Sequence, residues 1–420
     1  MLSRSINLYK KLQKQYSKRI NLDLNRINKV LKKLKNPHLD LKNPINILGS
    51  DGKFSVLTSL QHFLEADNKK VTTFTSPHLY DLRHRFWLKN KFISINKINK
   101  LKKIIEKTGV KLTLFEFLTC IYILAAKNEK NIKFNLIESG LLFKKDSTNL
   151  WKEPKIQIVT NVNYQHQDWV SPKTITEICN QKVGYLSKKT TIYVAPQDAK
   201  VLKIIKKILK KNPSKKIYSS SWRLVYKKNS YFYKDKQNSI PLKLNYVYSK
   251  GLISNLCLAI KVALDLGVQK KSILKVIPKI RFQGRIQYIN NGKLKNLLGK
   301  NEKLLVDGCH SIQSAKNLFN YLKTLNEPIY GIWGMQKNKL PDKFISSFND
   351  IFSKIYTVTI PNEPNSLSSN MLKTIGKNFG NKIESASSVK ESLIKVSNNK
   401  KKTIVIFGSL YLVGDVLSKN

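Results

Sequence analysis

Cysteine is scarce in this chain and nowhere paired in sequence: Cys120, Cys179, Cys257 and Cys309 stand far apart, and no CxxC occurs. That spacing argues against a zinc site and fits a reducing compartment, so a cytoplasmic protein is expected. Long apolar runs are also missing, since no stretch approaches the roughly 18–20 uninterrupted apolar residues of a membrane-spanning helix. The opening residues, Met1-Leu-Ser-Arg-Ser-Ile-Asn-Leu-Tyr-Lys-Lys-Leu12, have no long apolar centre, so neither a secretory signal nor a membrane partner is expected. Internal repeats are absent. Acidic residues are few, 26 against 77 lysines and arginines, giving a formal charge of +51. Such an excess is one signature of nucleic-acid binding. Here the lysines run through every segment instead of forming one stripe, and no DNA- or RNA-binding motif accompanies them. The favoured reading is a lysine- and asparagine-rich bias spread over solvated faces, with nucleic acid not expected as a partner. The same positive field would still draw in anionic ligands such as ATP or a polyglutamate tail.

What is present is an ordinary apolar fraction, 41%, in a chain of 420 residues, long enough for two or three domains. Residues 1–43 read as helical, with apolar positions at Ile20, Leu24, Ile27, Val30, Leu31 and Leu34 close to the helical period. Strand-like runs follow at Ile45–Leu48, Val71–Phe74, Phe134–Ile137, Ile156–Val159 and Thr191–Val194. Helical patterns lie between them at 55–66, 96–108, 113–127, 173–186 and 198–211. Alternation of this kind predicts βαβ units and a mostly parallel sheet covered on both faces. A strand-rich patch spans 216–247 and a helical stretch 251–278. Alternation resumes with strands at Lys303–Val306, Ile329–Trp333, Ile355–Ile360 and Thr403–Phe407 and helices at 311–324 and 341–353. This is a second, smaller α/β unit, with the junction near Gln283-Gly-Arg285.

The chemistry-bearing residues collect at the carboxyl ends of these strands, where α/β sheets place their ligands. After Ile45–Leu48 comes Gly49-Ser-Asp-Gly-Lys-Phe-Ser55 and then a helical pattern. A glycine turn, a lysine and a hydroxyl at a helix start make a phosphate cradle: backbone N–H groups hold oxygens, lysine adds a charge and serine reaches magnesium. The spacing is two residues shorter than the usual Walker pattern, and taken alone the turn reads equally well as a solvated loop. Thr75-Ser-Pro-His-Leu79 ends the second strand and is either a ligand contact or a Ser-Pro turn. Glu138 ends the third and is placed for a magnesium ion, while Asp146-Ser-Thr-Asn149 has the composition of a helix cap. His166 and Lys182, read singly, are a structural histidine and a solvated lysine. In the second unit, Asp307-Gly-Cys-His310 and Gly408-Ser-Leu-Tyr-Leu412 follow strands in the same way.

In order, these blocks are far more specific than any one of them. The chain resembles the folylpolyglutamate synthase/dihydrofolate synthase family of Mur-ligase-like, ATP-dependent amide ligases. The family order is Gly-Thr-Asn-Gly-Lys-Gly-Ser, Thr-Ser-Pro-His-Leu, Phe-Glu-x-x-Thr, Glu-Val-Gly-Leu-Gly-Gly-Arg-x-Asp-Ala-Thr-Asn, Asp-His, Glu-Lys-Ala-Gly, Pro-Gly-Arg, Asp-Gly-Ala-His-Asn and Gly-Ser-Leu-Tyr-Leu-Val-Gly. It is met here by Gly49–Ser55, Thr75–Leu79, Phe115–Thr119, Glu138–Asn149, Gln165-His166, Gln181–Gly184, Gln283–Arg285, Asp307–Ser311 and Gly408–Gly414.

The resemblance implies an N-terminal P-loop ATPase-type domain with a mostly parallel sheet (1–284) and a smaller C-terminal Rossmann-like α/β domain (285–420), in a monomer. It implies that L-glutamate is joined to dihydropteroate, to the glutamate tail of a reduced folate, or to both: ATP activates a carboxylate as an acyl phosphate, which the glutamate amine attacks. It places Gly49, Gly52, Lys53, Ser55, Asn255, Arg285 and Asp307 on ATP, and Leu24, Arg26, Phe115 and Asp146 on the pterin. Ser55, Ser76, Glu138, His166 and Lys182, the last as a carbamate, fall to magnesium. Lys53, Lys182 and His166 are the residues it marks as catalytic. A carbamate needs a neutral amine, and hence a depressed lysine pKa. The chain departs from the pattern at several points. Phe54 replaces a loop glycine, so the backbone there must avoid positive φ. Leu142 and Phe143 replace a glycine pair, Lys144 an arginine, Gln165 an aspartate, Gln181 and His84 glutamates, and Gly251-Leu252 a His-Gln pair. Two alternatives stay open: a Mur-type ligase for another carboxylate, and a non-catalytic ATP- or nucleic-acid-binding relative.

Overall fold

Apolar runs too short for helices and bounded by turn residues become the strands of two separate sheets, each in its own unit of the chain. The structure is a computed structural model that describes residues 2–17, 21–348, 350–380 and 382–420, so Ile20 of the expected first helix lies outside the described residues. One unit runs up to Leu244 and includes Leu252–Ile280; the other comprises Asn245–Gly251 and Arg281–Asn420. The expected division was a single cut between 284 and 285, whereas the chain lends 245–251 to the second unit before returning to the first.

In the first unit, β1 (Pro44–Leu48), β2 (Val71–Phe74), β3 (Phe86–Leu88), β4 (Lys91–Phe92), β5 (Phe134–Glu138), β6 (Ile156–Val159), β7 (Thr191–Val194) and β8 (Lys215–Tyr218) form an eight-stranded sheet in the order β4-β3-β2-β5-β1-β6-β7-β8. Strands β2 to β8 along that order pair in parallel, and β3 and β4 add an antiparallel edge. The central strand β1 is buried throughout, as expected of a parallel strand covered on both faces. Its register sets Ile47 opposite Glu138 on one side and Ile158 on the other. The tips of β1, β5 and β6 therefore lie side by side. Helices Lys53–Ala66, Leu114–Lys127 and Ile175–Val183 follow β1, β4 and β6 in the chain. The helix Leu114–Lys127 is fixed at its start by a capping box, Thr113 with Glu116. The patch 216–247 resolves into edge strand β8 and a separate antiparallel sheet of β9 (Trp222–Lys227), β10 (Ser230–Asp235) and β11 (Ser239–Leu242).

The second unit is a six-stranded sheet of β12 (Gln287–Ile289), β13 (Glu302–Asp307), β14 (Ile329–Trp333), β15 (Lys354–Thr357), β16 (Ile383–Ser385) and β17 (Lys402–Phe407), ordered β12-β13-β17-β14-β15-β16. All its pairs are parallel except β12 with β13. Its core gathers Leu305, Trp333, Phe344, Phe348, Ile355 and Phe407.

Two expectations are corrected. Across 1–43, read as helical, the described residues are helical only at Leu2–Gln15 and Asn25–Lys33, with a 3-10 turn at Pro37–Asp40. Asp23 accepts a hydrogen bond from Asn25 N at 3.0 Å, a local side-chain bond that competes with helix continuation. The expected helix at 341–353 ends as Pro341–Ile345 and a 3-10 turn at Ser346–Phe348, and Asp350 follows with φ 59°.

Candidate active site

The strand β1 delivers its chain into Gly49 with φ 141° and Gly52 with φ 91°, and the helix Lys53–Ala66 starts at once. Both glycines are required by close approach as well as by φ. A Cβ on Gly49 would stand 2.1 Å from Thr160 Oγ1, and one on Gly52 2.7 Å from Asn255 Nδ2. Phe54, the bulky departure in this loop, lies in the first helical turn and is not among the positive-φ residues. It therefore asks nothing unusual of the backbone. Lys53 folds back over the turn, its Nζ donating to Gly49 O at 3.3 Å and Ser50 O at 3.1 Å. Ser55 Oγ donates to Gly52 O at 3.0 Å and accepts from Asn255 Nδ2 at 2.9 Å. The turn thus brings together a helix N-terminus, a lysine and a hydroxyl, the groups from which anion sites are built.

Lys182 meets the same loop from the helix Ile175–Val183. Its side chain is 1% exposed, and Nζ donates to Gly49 O at 3.0 Å and Leu141 O at 2.5 Å. Burial, reinforced by the neighbouring Lys53 charge, holds its pKa down at about 7, against the opposing pull of Asp146 and Asp51. A lysine so placed spends much of its time as the neutral amine at neutral pH. On the other side of β1, the buried carboxylate of Glu138 at the tip of β5 accepts from Ser76 N at 2.9 Å, just past the end of β2. His166 follows β6 with φ 65°, beside Gln165, whose Nε2 donates to Asp51 Oδ2 at 3.1 Å.

The residues expected at the pterin divide in two. Phe115 and Asp146 flank Gly140: a Cβ there would be 2.8 Å from the Phe115 ring and 2.9 Å from Asp146 Oδ2. The buried Asp146 also staples its own loop, accepting from Gly140 N, Leu141 N, Thr148 N and Thr148 Oγ1 at 3.0, 3.2, 3.0 and 2.6 Å. Burial raises its pKa, with those hydrogen bonds opposing. Leu24 packs on the same apolar cluster as Phe115. Arg26 is engaged elsewhere, with Nε and Nη2 on Glu116 at 3.1 and 2.8 Å, and lines an open basic groove of about 330 Å³ with Lys29, Lys33 and Lys111.

In the second unit, Asp307 ends β13 and is buried. Its carboxylate accepts from Ile286 N and Cys309 N, both at 2.7 Å. Burial raises its pKa and the Arg285 charge opposes. His310 Nδ1 lies 2.9 Å from Gly308 O, and Ser409 caps the helix Leu410–Lys419. Sequence reasoning passed over Asp51 and Asn163, which tie the loop down, and Glu116, which holds Arg26. Asp51 stood inside a motif already singled out; Asn163 carried no signal.

No group of three or more His, Cys, Asp and Glu able to hold a metal occurs among the described residues. The hydroxyl of Ser55 and the carboxylate of Glu138 are hard oxygen donors of the kind magnesium takes when phosphate oxygens and waters complete its shell.

Residues 290–419 match the family model described as dihydrofolate synthetase, C-terminal domain. Over 427 residues the chain is 24% identical to the dihydrofolate synthetase of Saccharomyces cerevisiae, covering 95% of this chain and 97% of that protein. It is 27% identical to the dihydrofolate synthase/folylpolyglutamate synthase of Buchnera aphidicola subsp. Baizongia pistaciae, covering 98% and 95%. Its fold is that of Mycobacterium tuberculosis folylpolyglutamate synthase, solved with ADP and AMPPCP, at TM-score 0.85 and 18% identity over 100% of this chain and 98% of that one. With the ordered motifs in place and relatives matched along nearly their whole length, the chain is similar to proteins of the folylpolyglutamate synthase/dihydrofolate synthase family.

Proposed function

We propose that this protein is an ATP-dependent ligase that joins L-glutamate to dihydropteroate, to the glutamate tail of a reduced folate, or to both, through an acyl phosphate. The observation that carries the proposal is the convergence of Lys53, Ser55 and the buried, proton-poor Lys182 on one glycine turn at a helix N-terminus. Lys53 and the loop amides take the ATP phosphates, and Gly52 lets Asn255 close over them by having no Cβ. Phosphoryl transfer needs little covalent help from a protein beyond position and charge, and this turn supplies both. Ser55, Ser76, Glu138, His166 and the carbamate of Lys182 are assigned to magnesium, which supplies charge neutralisation along the phosphates. Phe115, Asp146, Leu24 and Arg26 are assigned to the pterin. The family model matched at 290–419 is described as a dihydrofolate synthetase domain, which favours dihydropteroate as the acceptor. No helix among the described residues is long and apolar enough to cross a membrane. We take the protein to be a cytoplasmic monomer that does not use nucleic acid.

Turnover of ATP by the purified protein with magnesium, glutamate and either dihydropteroate or tetrahydrofolate tests this reading. ADP release that needs both glutamate and one pterin is the expected result. Silence with both pterins, alongside salt-sensitive DNA binding, would overturn it.

A further inference from the structure

The phosphate loop carries an acidic residue, Asp51, between Gly49 and Lys53, where an anion is electrostatically out of place. Its surroundings account for it. Ser50 N and Asp51 N both donate to Asn161 O, at 2.7 and 3.2 Å, and Asn163 N donates to Ser50 Oγ at 3.1 Å. To this backbone seam Asp51 adds a charged contact: Oδ2 accepts from Asn163 Nδ2 at 2.7 Å and from Gln165 Nε2 at 3.1 Å. Hydrogen bonds to an ionised acceptor are roughly twice as strong as neutral ones. Gln165 immediately precedes His166, which holds the left-handed φ of 65°. One carboxylate oxygen therefore ties the loop that bears Lys53 to the stretch that bears His166. The residue types at the two ends are also complementary. Where the family pattern has asparagine in the loop and aspartate before the histidine, this chain has Asp51 and Gln165. Amide and carboxylate have changed places.

We propose that Asp51 and Gln165 are positioning residues whose contact holds the phosphate loop against the His166 segment and sets nucleotide affinity. The proposal rests on the reading of Gly49–Ser55 as the ATP loop. Gly52 and Lys53 follow Asp51 directly, so a loop released at Asp51 loses the orientation of the very amides and ammonium that meet phosphate. None of Phe115, Asp146, Leu24 and Arg26, the residues assigned to the pterin, takes part in these contacts. The consequence is a selective one: the KM for ATP depends on the pair more than the KM for the pterin does.

The test is calorimetric binding of a non-hydrolysable ATP analogue with magnesium, alongside steady-state KM values and thermal melts. Gln165→Asp sets two carboxylates face to face and is expected to weaken nucleotide binding at least about tenfold, more than Gln165→Ala. Adding Asp51→Asn to Gln165→Asp restores a carboxylate–amide pair and is expected to recover binding to within about threefold of the parent. Should Gln165→Asp fail to fold, Asp51→Ala and Gln165→Ala decide the matter, with a double variant no weaker than Asp51→Ala alone. Unchanged affinity in Gln165→Asp, failure of Asp51→Asn to rescue it, or additive losses in the alanine cycle overturns the proposal. A parent protein that binds no nucleotide overturns the ATP-loop reading and this proposal with it, whereas a parent that binds and variants that do not differ remove the clamp alone.

Discussion

Alanine at Gly52 probes the loop where backbone and packing demands coincide. The residue holds φ 91°, and a Cβ would lie 2.7, 2.8 and 3.0 Å from Nδ2, Oδ1 and Cγ of Asn255. The left-handed backbone costs an L-residue about 1–2 kcal/mol. Reduced freedom of the unfolded chain returns about 0.4–1 kcal/mol of that. Asn255 must also move, and its hydrogen bond to Ser55 Oγ, worth about 0.5–1.5 kcal/mol net, is lost. Together these destabilise Gly52→Ala by roughly 0.5–3 kcal/mol. Gly267 is the internal control: its φ is 76°, but nothing lies within 4 Å of where its Cβ would stand. Gly267→Ala carries the backbone part only, roughly 0–1.5 kcal/mol. Urea denaturation should separate the two variants by about 1 kcal/mol. Nucleotide affinity should fall about tenfold or more in Gly52→Ala and stay unchanged in Gly267→Ala. Equal destabilisation together with equal affinities would refute the view that Asn255 and Gly52 close on one another at a phosphate site.

Other outcomes follow from the same geometry. Lys53→Ala should lower ATP turnover at least about a hundredfold while the melting temperature shifts by only a few degrees, because its amine bonds only carbonyls of its own turn. Lys182→Met should remove ligation without loss of stability, since holding the buried amine near neutrality costs folding free energy that its two carbonyl contacts only partly return; a large fall in melting temperature would count against this account. In the second unit, burial pushes the Glu302 carboxyl up. Hydrogen bonds from Ser397, Asn398 N, Gly299 N and Lys402 outweigh it and bring the pKa down to about 2. Between that value and the ordinary 4.5 the unfolded chain holds a proton that the folded one does not, so stability is fully present above pH 4.5 and drains away as pH falls toward 2. Acid titration of the melting temperature should show this slope, and Glu302→Gln should flatten it.

The strands whose ends build the site could be read from the sequence because β1, β5, β6, β7 and β13 are short, mostly apolar stretches bounded by turn residues, with β-branched threonines completing β2. The edges could not be read. Strands β3, β4, β12 and β16 are two or three residues long, too short for a period to appear. The helices Ser369–Lys377, Val389–Val396 and Leu410–Lys419 each start behind a serine cap, Ser368, Ser388 and Ser409, a signal present in the sequence but indistinct among so many serines and lysines. At the site, motif order pointed to Lys53, Glu138 and Lys182. It did not find that Arg26 is occupied by Glu116, or that Asp146 staples its own loop, because both are facts of side-chain direction.

The departures from the family pattern fall where structure absorbs them. Phe54 enters a helix whose backbone suits any L-residue. Leu142 and Phe143, in place of a glycine pair, are each 1% exposed. They pack in one cluster with Leu48, Val159, Ile178, Cys179 and Val183, that is, with the end of β1 and the helix that carries Lys182. Lys144 N adds a hydrogen bond to Gln181 O at 2.9 Å. Burial of two such side chains contributes about 1.5–3 kcal/mol each. Glycines would let this segment bend. Leucine and phenylalanine instead pack it between the end of β1 and the helix from which Lys182 reaches Gly49 and Leu141. Burial, with the Lys53 charge, holds the Lys182 pKa near neutrality, and the cluster that takes in Leu142 and Phe143 also takes in Cys179 and Val183 on either side of that lysine.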